Sequence, residues 1–453
     1  MKKKRIYIPV EIKKRELDSL LLFSIFASKH NFSIVISTKQ NLNSSINYLR
    51  EGIYLMKSIG KKNLQFIQNL KKQGHRVVCL DIEGSHYIHK EKLINRIFIN
   101  NLKELDYFFC WGKNQLKDLL NLYPDQKKKL KVTGHPKVDI LKSSFNDIYK
   151  NEASKIKKEH GKFILITTFF PVFNFFKRKN VNSHSQMLKH ADYTGPNLSF
   201  LGKQLLLHQK KNFIHFQNLI KFLNEKFENI NFIIRPHPGE DHNNWKKKVQ
   251  KYSNIKVIYD DQSTCSWIMA SDLMISCNCT TLLESYLMSK KSVNFLPYSN
   301  KLVEFKLIKA SSLNIYNKSK LYLLINNIKT NNLKASSKKY KDLFKKNIEN
   351  FDKKNSSEII IKYLQTLKIE NKLKNKEITF DIIFKKKLKK LVYKFKEYFS
   401  INNDLQKLIN QKAPEINRDE IIEKIEILNK SIGVNKLNIV EILPGVFEIY
   451  KKN

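Results

Sequence analysis

Short apolar runs alternate with longer segments of helical periodicity along roughly the first two thirds of the chain. The runs are rich in branched and aromatic side chains, which is typical of buried β-strands. They are Ile6–Val10, Phe32–Ser37, Gly52–Leu55, Arg76–Leu80, Asp106–Trp111, Lys129–Val132, Phe163–Thr167, Asn231–Ile234, Ile255–Ile258, Leu273–Ser276 and Val293–Leu296. Strands that alternate with helices pair in parallel, so the pattern predicts an α/β protein with doubly wound sheets.

The same pattern predicts how the chain divides. A polar, helical stretch before Phe163 separates two alternating arrays, which we assign to Rossmann-like domains at 1–140 and 141–335. A lysine-rich helical segment is expected at 336–400, and a small appendage at 401–453 with a hairpin that turns at Pro444 and Gly445. The patternless stretch 174–202 is expected to be a lid, a binding loop or disordered.

The chain is strongly basic. Its 84 lysines and arginines against 41 acidic residues give a formal net charge of +43. An anionic partner would explain this charge, but lysine, asparagine and isoleucine are raised together, which favours a compositional bias. No zinc finger or RNA-recognition signature accompanies the charge, so no specific nucleic-acid partner is expected.

Composition also bears on location. We expect no signal peptide and no membrane-spanning segment, and five cysteines without metal spacing indicate a reducing, cytoplasmic compartment. From Phe380 onward, apolar residues recur every three or four positions between lysines. This basic amphipathic helix predicts peripheral contact with the inner membrane, and the alternative is a helix docked on the protein.

Two polar motifs follow predicted strands of the second domain. Arg235, His237 and Pro238 follow the predicted strand Asn231–Ile234. An arginine and a histidine held between prolines at a strand end can bind a phosphate. Alternatively, Arg235 pairs with Glu240 or Asp241, and His237 satisfies a loop carbonyl. Loops at the carboxyl ends of parallel strands are where open α/β sheets bind ligands.

The second motif opens a helix. Thr280 and Thr281 are expected near its N-cap, where they either cap the helix or bind a nucleotide phosphate. Glu284, one turn later, is a candidate for ribose hydroxyls or for a first-turn residue that complements the helix dipole. Asn278 is a weaker phosphate-binding candidate.

An acidic pair marks the first domain. Asp81 and Glu83 follow the Arg76–Leu80 strand, and Gly84 permits a tight turn there. A carboxylate at this strand end is placed to take a proton from an acceptor hydroxyl, and turn chemistry is the alternative. Glu11, at the end of the first strand, is a weaker acceptor-site candidate, as is Gly84.

Taken together, these motifs resemble those of bacterial surface carbohydrate biosynthesis proteins, a family of GT-B-like glycosyltransferases. The resemblance rests on YIPVEIKKRELDS, GIYLMKS, GHRVVCLDIEG, WGKNQ, VTGHPKVD, IIRPHPGE and SCNCTTLLE, which occur in order up to Pro297. It implies a GT-B-like fold in which two Rossmann-like domains face a cleft. The helical basic C-terminal extension lies outside the resemblance.

The motif set is also similar to that of sialyltransferases and Kdo transferases. By that resemblance, Glu83 or Asp81 supplies the catalytic base, His237 and Pro238 contact the phosphate leaving group, and Thr280 and Thr281 bind phosphate. The acidic match is imperfect. Ile82 occupies the position of the first acidic residue of the family's pair, so only Glu83 aligns, and Asp81 lies one residue earlier.

The predicted function is therefore an inverting glycosyltransferase of cell-surface polysaccharide synthesis. It would take a nucleotide-activated sugar, with a CMP-linked nonulosonate or Kdo-like donor favoured, and a glycan or lipid-linked acceptor. No cofactor is expected, and the sequence has no Asp-x-Asp motif, so no metal is expected either. The alternatives are a CDP-glycerol-type phosphotransferase, a UDP-sugar 2-epimerase, or an anion- or nucleic-acid-binding protein without catalysis.

Overall fold

The structure of the protein is a computed structural model, which describes residues 3–85, 87–177, 180–260, 262–327, 338–352, 354–369, 379–388, 414–434 and 436–452. The chain forms two compact units. Unit 1 contains Met1–Ser85, Leu93–Ile148 and Lys345–Asn453, and unit 2 contains His86–Lys92 and Tyr149–Phe344. Both are α/β units with parallel strands, which confirms the predicted fold class.

The strands match the predicted apolar runs closely. They are β1 Lys4–Val10, β2 Phe32–Thr38, β3 Ile53–Met56, β4 Arg76–Leu80, β5 Tyr107–Cys110, β6 Leu130–Val132, β7 Phe163–Thr167, β8 Asn231–Arg235, β9 Ile255–Val257, β10 Leu273–Ser276, β11 Ser292–Phe295, β12 Leu313–Ile315, β13 Leu437–Leu443 and β14 Val446–Lys451.

Helices connect most of these strands. They are α1 Lys13–Lys29, α2 Lys39–Ser45, α3 Leu64–Lys72, α4 Glu91–Arg96, α5 Ile99–Glu104, α6 Lys113–Leu122, α7 Pro136–Asp139, α8 Lys150–His160, α9 His184–His190, α10 Pro196–Lys226, α11 His242–Val249, α12 Thr264–Ala270, α13 Thr280–Leu287, α14 Lys306–Ala310, α15 Lys318–Asn326, α16 Lys338–Asn347, α17 Ser356–Thr366 and α18 Arg418–Ile432.

Unit 1 is organised around the central strand β1. Its sheet has the order β13-β14-β2-β1-β3-β4-β5-β6, and β1 to β6 pair in parallel. The strand order reverses direction between β1 and β3. Since crossover connections are right-handed, such a reversal places helices on both faces of the sheet.

The C-terminal hairpin belongs to this sheet. Strand β14 pairs antiparallel with β2, with Phe447 opposite Ile36, and Gly445 makes the predicted turn at a φ of 70°. The Arg5 guanidinium donates to both carboxylate oxygens of Glu448 on β14, at 2.8 and 2.7 Å. The hairpin was predicted correctly, but the expected separate appendage at 401–453 is corrected, because its strands complete the sheet of unit 1.

Unit 2 has a wholly parallel sheet in the order β12-β11-β10-β7-β8-β9. Counted within the unit, this is the 3-2-1-4-5-6 order of a dinucleotide-binding sheet. A core of aliphatic and aromatic side chains from the strands and from α10 covers the sheet, with Phe216, Trp245 and Phe295 fully buried. The direction of winding reverses between β7 and β10.

The stretch 174–202 is folded where the structure describes it, which corrects the expectation of disorder, and its role as a lid or a binding loop stays a prediction. Helix α9 begins with a capping box between Ser183 and Gln186, and α10 begins at Pro196. An apolar cluster holds the segment in unit 2, formed by Val172, Tyr193, Leu198, Leu201, Leu205 and Val303.

The lysine-rich segment 336–400 is described in part. Helix α17 is anchored in unit 1, because the backbone N–H groups of Ser356 and Ser357 donate to the buried Asp139 carboxylate at 2.9 and 2.8 Å. Residues 380–388 are helical as predicted, and the rest of the predicted amphipathic helix lies outside the described residues. Among the helices that the structure describes, none is long and apolar enough to cross a membrane.

Candidate functional site

The winding reversal in unit 2 defines a candidate binding edge. Strands β7 and β10 are neighbours there, and β8 lies on the other side of β7. Ligands of open α/β sheets bind outside the carboxyl ends of the strands at such a point. The segments that leave these strand ends begin at Thr168, Cys277 and Pro236, so both predicted motifs of the second domain lie at this edge.

Two threonine side chains meet at the reversal. The hydroxyl oxygens of Thr167, at the end of β7, and Thr281 lie 2.9 Å apart. The Ser276 hydroxyl donates to the Thr167 carbonyl at 2.9 Å, which joins the ends of β7 and β10. Sequence analysis missed Thr167, although its place at the end of a predicted strand was a signal.

Helix α13 begins at this pair without a side-chain cap. Its N-cap is Cys279, in extended conformation, and Thr280 and Thr281 occupy the first helical positions. The Cys279 side chain makes no capping hydrogen bond, and neither threonine occupies the N-cap position itself. The Leu282 N–H donates to the Cys279 carbonyl at 3.1 Å. The N–H groups at a helix start lie outside the regular i to i−4 pattern, and the helix dipole makes this end attractive to an anion.

His237 follows β8 at the same edge. Its Nδ1 accepts a hydrogen bond from the Gly239 N–H at 3.1 Å, so the neutral ring carries its proton on Nε2. Phe169 packs edge-on against the ring, with centroids 5.2 Å apart. The half-buried His237 is therefore held in one tautomer with Nε2 as a hydrogen-bond donor.

A buried carboxylate connects the loops after β7 and β8. The Glu240 side chain is 2% exposed and accepts hydrogen bonds from the Thr168 hydroxyl at 2.7 Å, the Phe170 N–H at 3.0 Å, the Trp245 indole at 2.9 Å and the Asn174 amide at 3.2 Å. Burial raises the pKa of Glu240, and these four donors oppose the rise. The His237 N–H also donates to this carboxylate, at 3.4 Å. Sequence analysis considered Glu240 only as a partner for Arg235, and missed its role in fixing the His237 loop.

The Arg235 side chain has a different partner from those expected. Its guanidinium binds Asp260 at 2.8 Å and lies over the Trp267 ring at 4.7 Å. It also donates to the Gln262 carbonyl at 3.3 Å, and the residue is 7% exposed. The structure therefore pairs Arg235 with Asp260 and not with the expected Glu240 or Asp241, and its phosphate contact stays a prediction.

Asn278 is a buried anchor. Its backbone adopts a left-handed φ of 47°, its Nδ2 donates to the Val303 carbonyl at 3.2 Å, and its Oδ1 accepts from the Phe305 N–H at 3.0 Å. Both ends of the side-chain amide are thus used within unit 2, and its role as a phosphate ligand stays a prediction. Pro238 and Glu284 are half-buried near the same edge, and their binding roles stay predictions.

The acidic pair of unit 1 is divided between two environments. Asp81 is 3% exposed, binds the Arg96 guanidinium and accepts from the Gln115 amide at 2.8 Å. Glu83 has a side chain that is 58% exposed and lies 3.6 Å from Arg96. Asp81 is thus enclosed by structural partners whereas Glu83 is exposed, and the base role of either residue stays a prediction.

The other acceptor candidates have structural partners. An ideal Cβ on Gly84 would lie 2.5 Å from Trp111 Cδ1, so close packing requires glycine at this position. Glu11 binds the Lys39 ammonium at 2.6 Å. His135 is buried and stacks on the same Trp111 ring, with centroids 4.4 Å apart.

The described residues contain no cluster of three or more histidine, cysteine or acidic side chains that could hold a metal ion. The five cysteines are free thiols and all are buried.

Comparison with known proteins gives a likeness in fold. No protein-family model matches the chain, and no curated protein matches it. Among solved structures, the wall teichoic acid polymerase TagF is similar at 10% identity and a TM-score of 0.49, over 81% of this chain and 88% of that chain. A UDP-GlcNAc 2-epimerase from Methanocaldococcus jannaschii is similar at 12% identity and a TM-score of 0.48, over 80% and 99%. The enzyme of that name from Neisseria meningitidis has 12% identity and a TM-score of 0.47, over 81% and 100%. Since such a likeness concerns the fold alone, what this chain does must follow from its own residues.

Proposed function

We propose that unit 2 binds the phosphate of a nucleotide-activated sugar and that the protein is a glycosyltransferase of cell-surface polysaccharide synthesis. The observation that carries the proposal is the hydroxyl contact between Thr167 and Thr281 beside the uncapped start of α13. Hydroxyls and helix N–H groups at the reversal of a parallel sheet are suited to a phosphate.

His237 adds a donor on the other side of β7. Strands β8 and β10 are separated by β7, so their ends are two strand spacings apart, about 10 Å. A phosphate group with its attached sugar can bridge that distance. The Nε2–H of His237 would then bind a phosphate oxygen or protonate the departing group, while the helix end stabilises the developing negative charge.

The finer assignments rest on the family resemblance. A CMP-linked donor, inversion at the sugar and independence from metal ions come from it, with Glu83 as the candidate base for the acceptor hydroxyl. The ion pair of Asp81 with Arg96 supports the choice of Glu83 within the acidic pair.

A phosphotransferase is the second candidate, and the same observations favour it. The described donors at the unit 2 edge all suit a phosphate, and a CDP-linked glycerol donor presents that group as well as a nucleotide sugar does. A UDP-sugar 2-epimerase also needs a diphosphate site. The nucleotide that the protein prefers distinguishes these reactions.

Thermal denaturation with CMP, CDP and UDP tests the proposal. A nucleotide at a hundredfold excess over its Kd stabilises the native state by about 2.7 kcal/mol. We expect CMP to raise the melting temperature most, and expect His237→Ala to reduce the rise. The exposed His215 gives the matched control, His215→Ala, which should leave the rise unchanged.

Each other outcome has a defined meaning. Preference for CDP or UDP would replace the CMP-sugar assignment by the phosphotransferase or the epimerase. No stabilisation by any of the three, together with salt-sensitive binding to DNA, would overturn the proposal in favour of a charge-driven nucleic-acid-binding protein.

A further inference from the structure

The helical residues 380–388 expose an apolar stripe, formed by Phe380, Phe384 and Leu388. Their exposed fractions are 79%, 56% and 51%, and Phe380 is the most exposed large hydrophobic residue in the described part of the chain. A spacing of four places all three on one helix face. The rings of Phe380 and Phe384 stack on each other, with centroids 6.4 Å apart.

The opposite face of this helix is attached to unit 1. The Lys386 ammonium donates to the hydroxyls of Ser44 and Ser45 at 2.8 and 3.0 Å. Ile382 and Ile383, on the same side as Lys386, are half-buried. The contacts with Ser44 and Ser45 fix the rotation of the helix, so the apolar stripe is directed away from the residues that anchor it.

Lysines border the apolar stripe. At about 100° per residue, Lys387 lies on one side of Phe380 and Lys385 on the other side of Leu388. Both lysines are exposed, and Asp381 is the only acidic residue between 379 and 388. Asp381 lies between Leu388 and Lys385 on the same helical projection, so the apolar centre has a border of two lysines and one aspartate, with a net positive charge.

This pattern distinguishes among possible occupants. A second copy of the stripe would bring like-charged lysines together, which is unfavourable for self-association. Nucleic acid would bind the lysines but would leave the apolar stripe in water. An anionic bilayer surface satisfies both parts, because lysines lie among phosphate headgroups while aromatic and leucine side chains enter the acyl boundary.

We propose that residues 380–388 dock the protein on a bilayer surface that carries anionic phospholipids. The helix lies in the plane of the interface, with Phe380, Phe384 and Leu388 inserted and with Lys385 and Lys387 at the headgroups. The proposal goes beyond the nucleotide site and does not depend on it.

Cosedimentation of the full chain with vesicles tests the proposal. One vesicle type contains phosphatidylcholine alone, and the other has one part in three replaced by phosphatidylglycerol. The triple variant Phe380→Ser, Phe384→Ser, Leu388→Ser should bind the anionic vesicles about tenfold more weakly or worse, because it loses three inserted side chains. The charge variant Lys385→Glu, Lys387→Glu should also bind more weakly, and added salt should weaken wild-type binding.

A matched control uses exposed apolar residues elsewhere. Phe200 and Leu207 on α10 are 53% and 39% exposed, and Phe200→Ser with Leu207→Ser should leave vesicle binding unchanged. Circular dichroism and melting temperature establish that each variant is folded. All the substituted side chains are exposed, so little change in stability is expected.

Three results would overturn the proposal. The first is unchanged vesicle binding by the folded triple serine variant. The second is equal binding of wild-type protein to both vesicle types, which would remove the role of anionic lipid. The third is a wild-type protein that does not bind vesicles but forms a dimer, while the triple serine variant stays monomeric. The stripe would then be a self-association surface.

Discussion

The hydroxyl oxygens of Thr167 and Thr281 lie 2.9 Å apart, joining the end of β7 to the first turn of α13. Two hydroxyls carry two protons, and their mutual hydrogen bond uses one of them. The second proton can be donated to another acceptor. A phosphate oxygen at the start of α13 would provide that acceptor, in addition to the N–H groups of the first turn.

Removing the Thr281 hydroxyl should weaken nucleotide binding. Thr281→Val keeps the shape of the side chain and loses a hydrogen bond to a charged ligand, for which we expect roughly tenfold lower affinity, or about 1.4 kcal/mol. Thr281→Ser restores the hydroxyl and should bind within about threefold of wild type. Calorimetric titration with the nucleotide that most raises the melting temperature measures both. Equal affinity of the valine variant would show that this hydroxyl does not contact the ligand.

The strands and the site loops could be predicted from local sequence. Runs such as Phe163–Thr167 are apolar enough to be recognised as buried strands, and the motifs of His237 and Thr281 follow such runs directly. Parallel strands align their carboxyl ends at one edge, so the shared edge of β7, β8 and β10 follows from topology.

Contacts between distant residues could not be predicted in this way. The hairpin at Gly445 was recognised from its turn residues, but its partner β2 lies some four hundred residues earlier, and no local pattern indicates that pairing. Arg235 binds Asp260 and not Glu240, which is closer in the sequence, because the geometry of the loops decides which carboxylate the guanidinium can reach. Glu240 instead accepts hydrogen bonds from five donors, which come from segments that sequence analysis treated separately.

Glu240 is expected to determine the stability of the loop that holds His237. In Glu240→Gln, the new amide N–H₂ would face groups that are themselves donors, such as the Trp245 indole N–H. We expect the free energy of unfolding to fall by about 2–4 kcal/mol, since a buried charged acceptor is lost. Urea denaturation measures this change.

The control for Glu240 is Glu228→Gln, at an exposed glutamate before β8, and it should change stability by less than about 0.5 kcal/mol. If Glu240→Gln were as stable as this control, the carboxylate would not organise the loop as its five hydrogen bonds indicate.

The two members of the acidic pair should respond differently to loss of charge. Asp81→Asn leaves the Arg96 guanidinium without its buried carboxylate partner and should destabilise unit 1 by about 3 kcal/mol. Glu83→Gln removes a largely exposed carboxylate that lies 3.6 Å from the same arginine, and should cost less than about 1 kcal/mol. Denaturation of both variants under identical conditions gives the comparison. Similar losses from the two variants would contradict the division into a structural aspartate and an available glutamate.

Acid should destabilise the protein through His208 on α10. The residue is 2% exposed, and its Nε2 lies 4.0 Å from the Glu304 carboxylate, beyond hydrogen-bond distance. Burial lowers the pKa of His208 to about 4, although Glu304 acts to raise the pKa. The unfolded chain, with an ordinary histidine pKa near 6.5, therefore takes up a proton before the native state does. Stability is complete above about pH 6.5 and falls as the pH decreases towards 4.

The size of the expected loss of stability in acid determines how the role of His208 is tested. A difference of about 2.5 pKa units corresponds to a loss of roughly 3 kcal/mol at pH 4, by 1.36 kcal/mol per unit. His208→Gln cannot take up this proton, so its free energy of unfolding should fall less than that of wild type between pH 6.5 and 4. His215→Gln, at an exposed histidine of the same helix, should follow the wild-type curve. Chemical denaturation across this range compares the three proteins. If the His208→Gln curve ran parallel to wild type, the acid sensitivity would arise elsewhere, and protonation of Glu304 would be the next group to test.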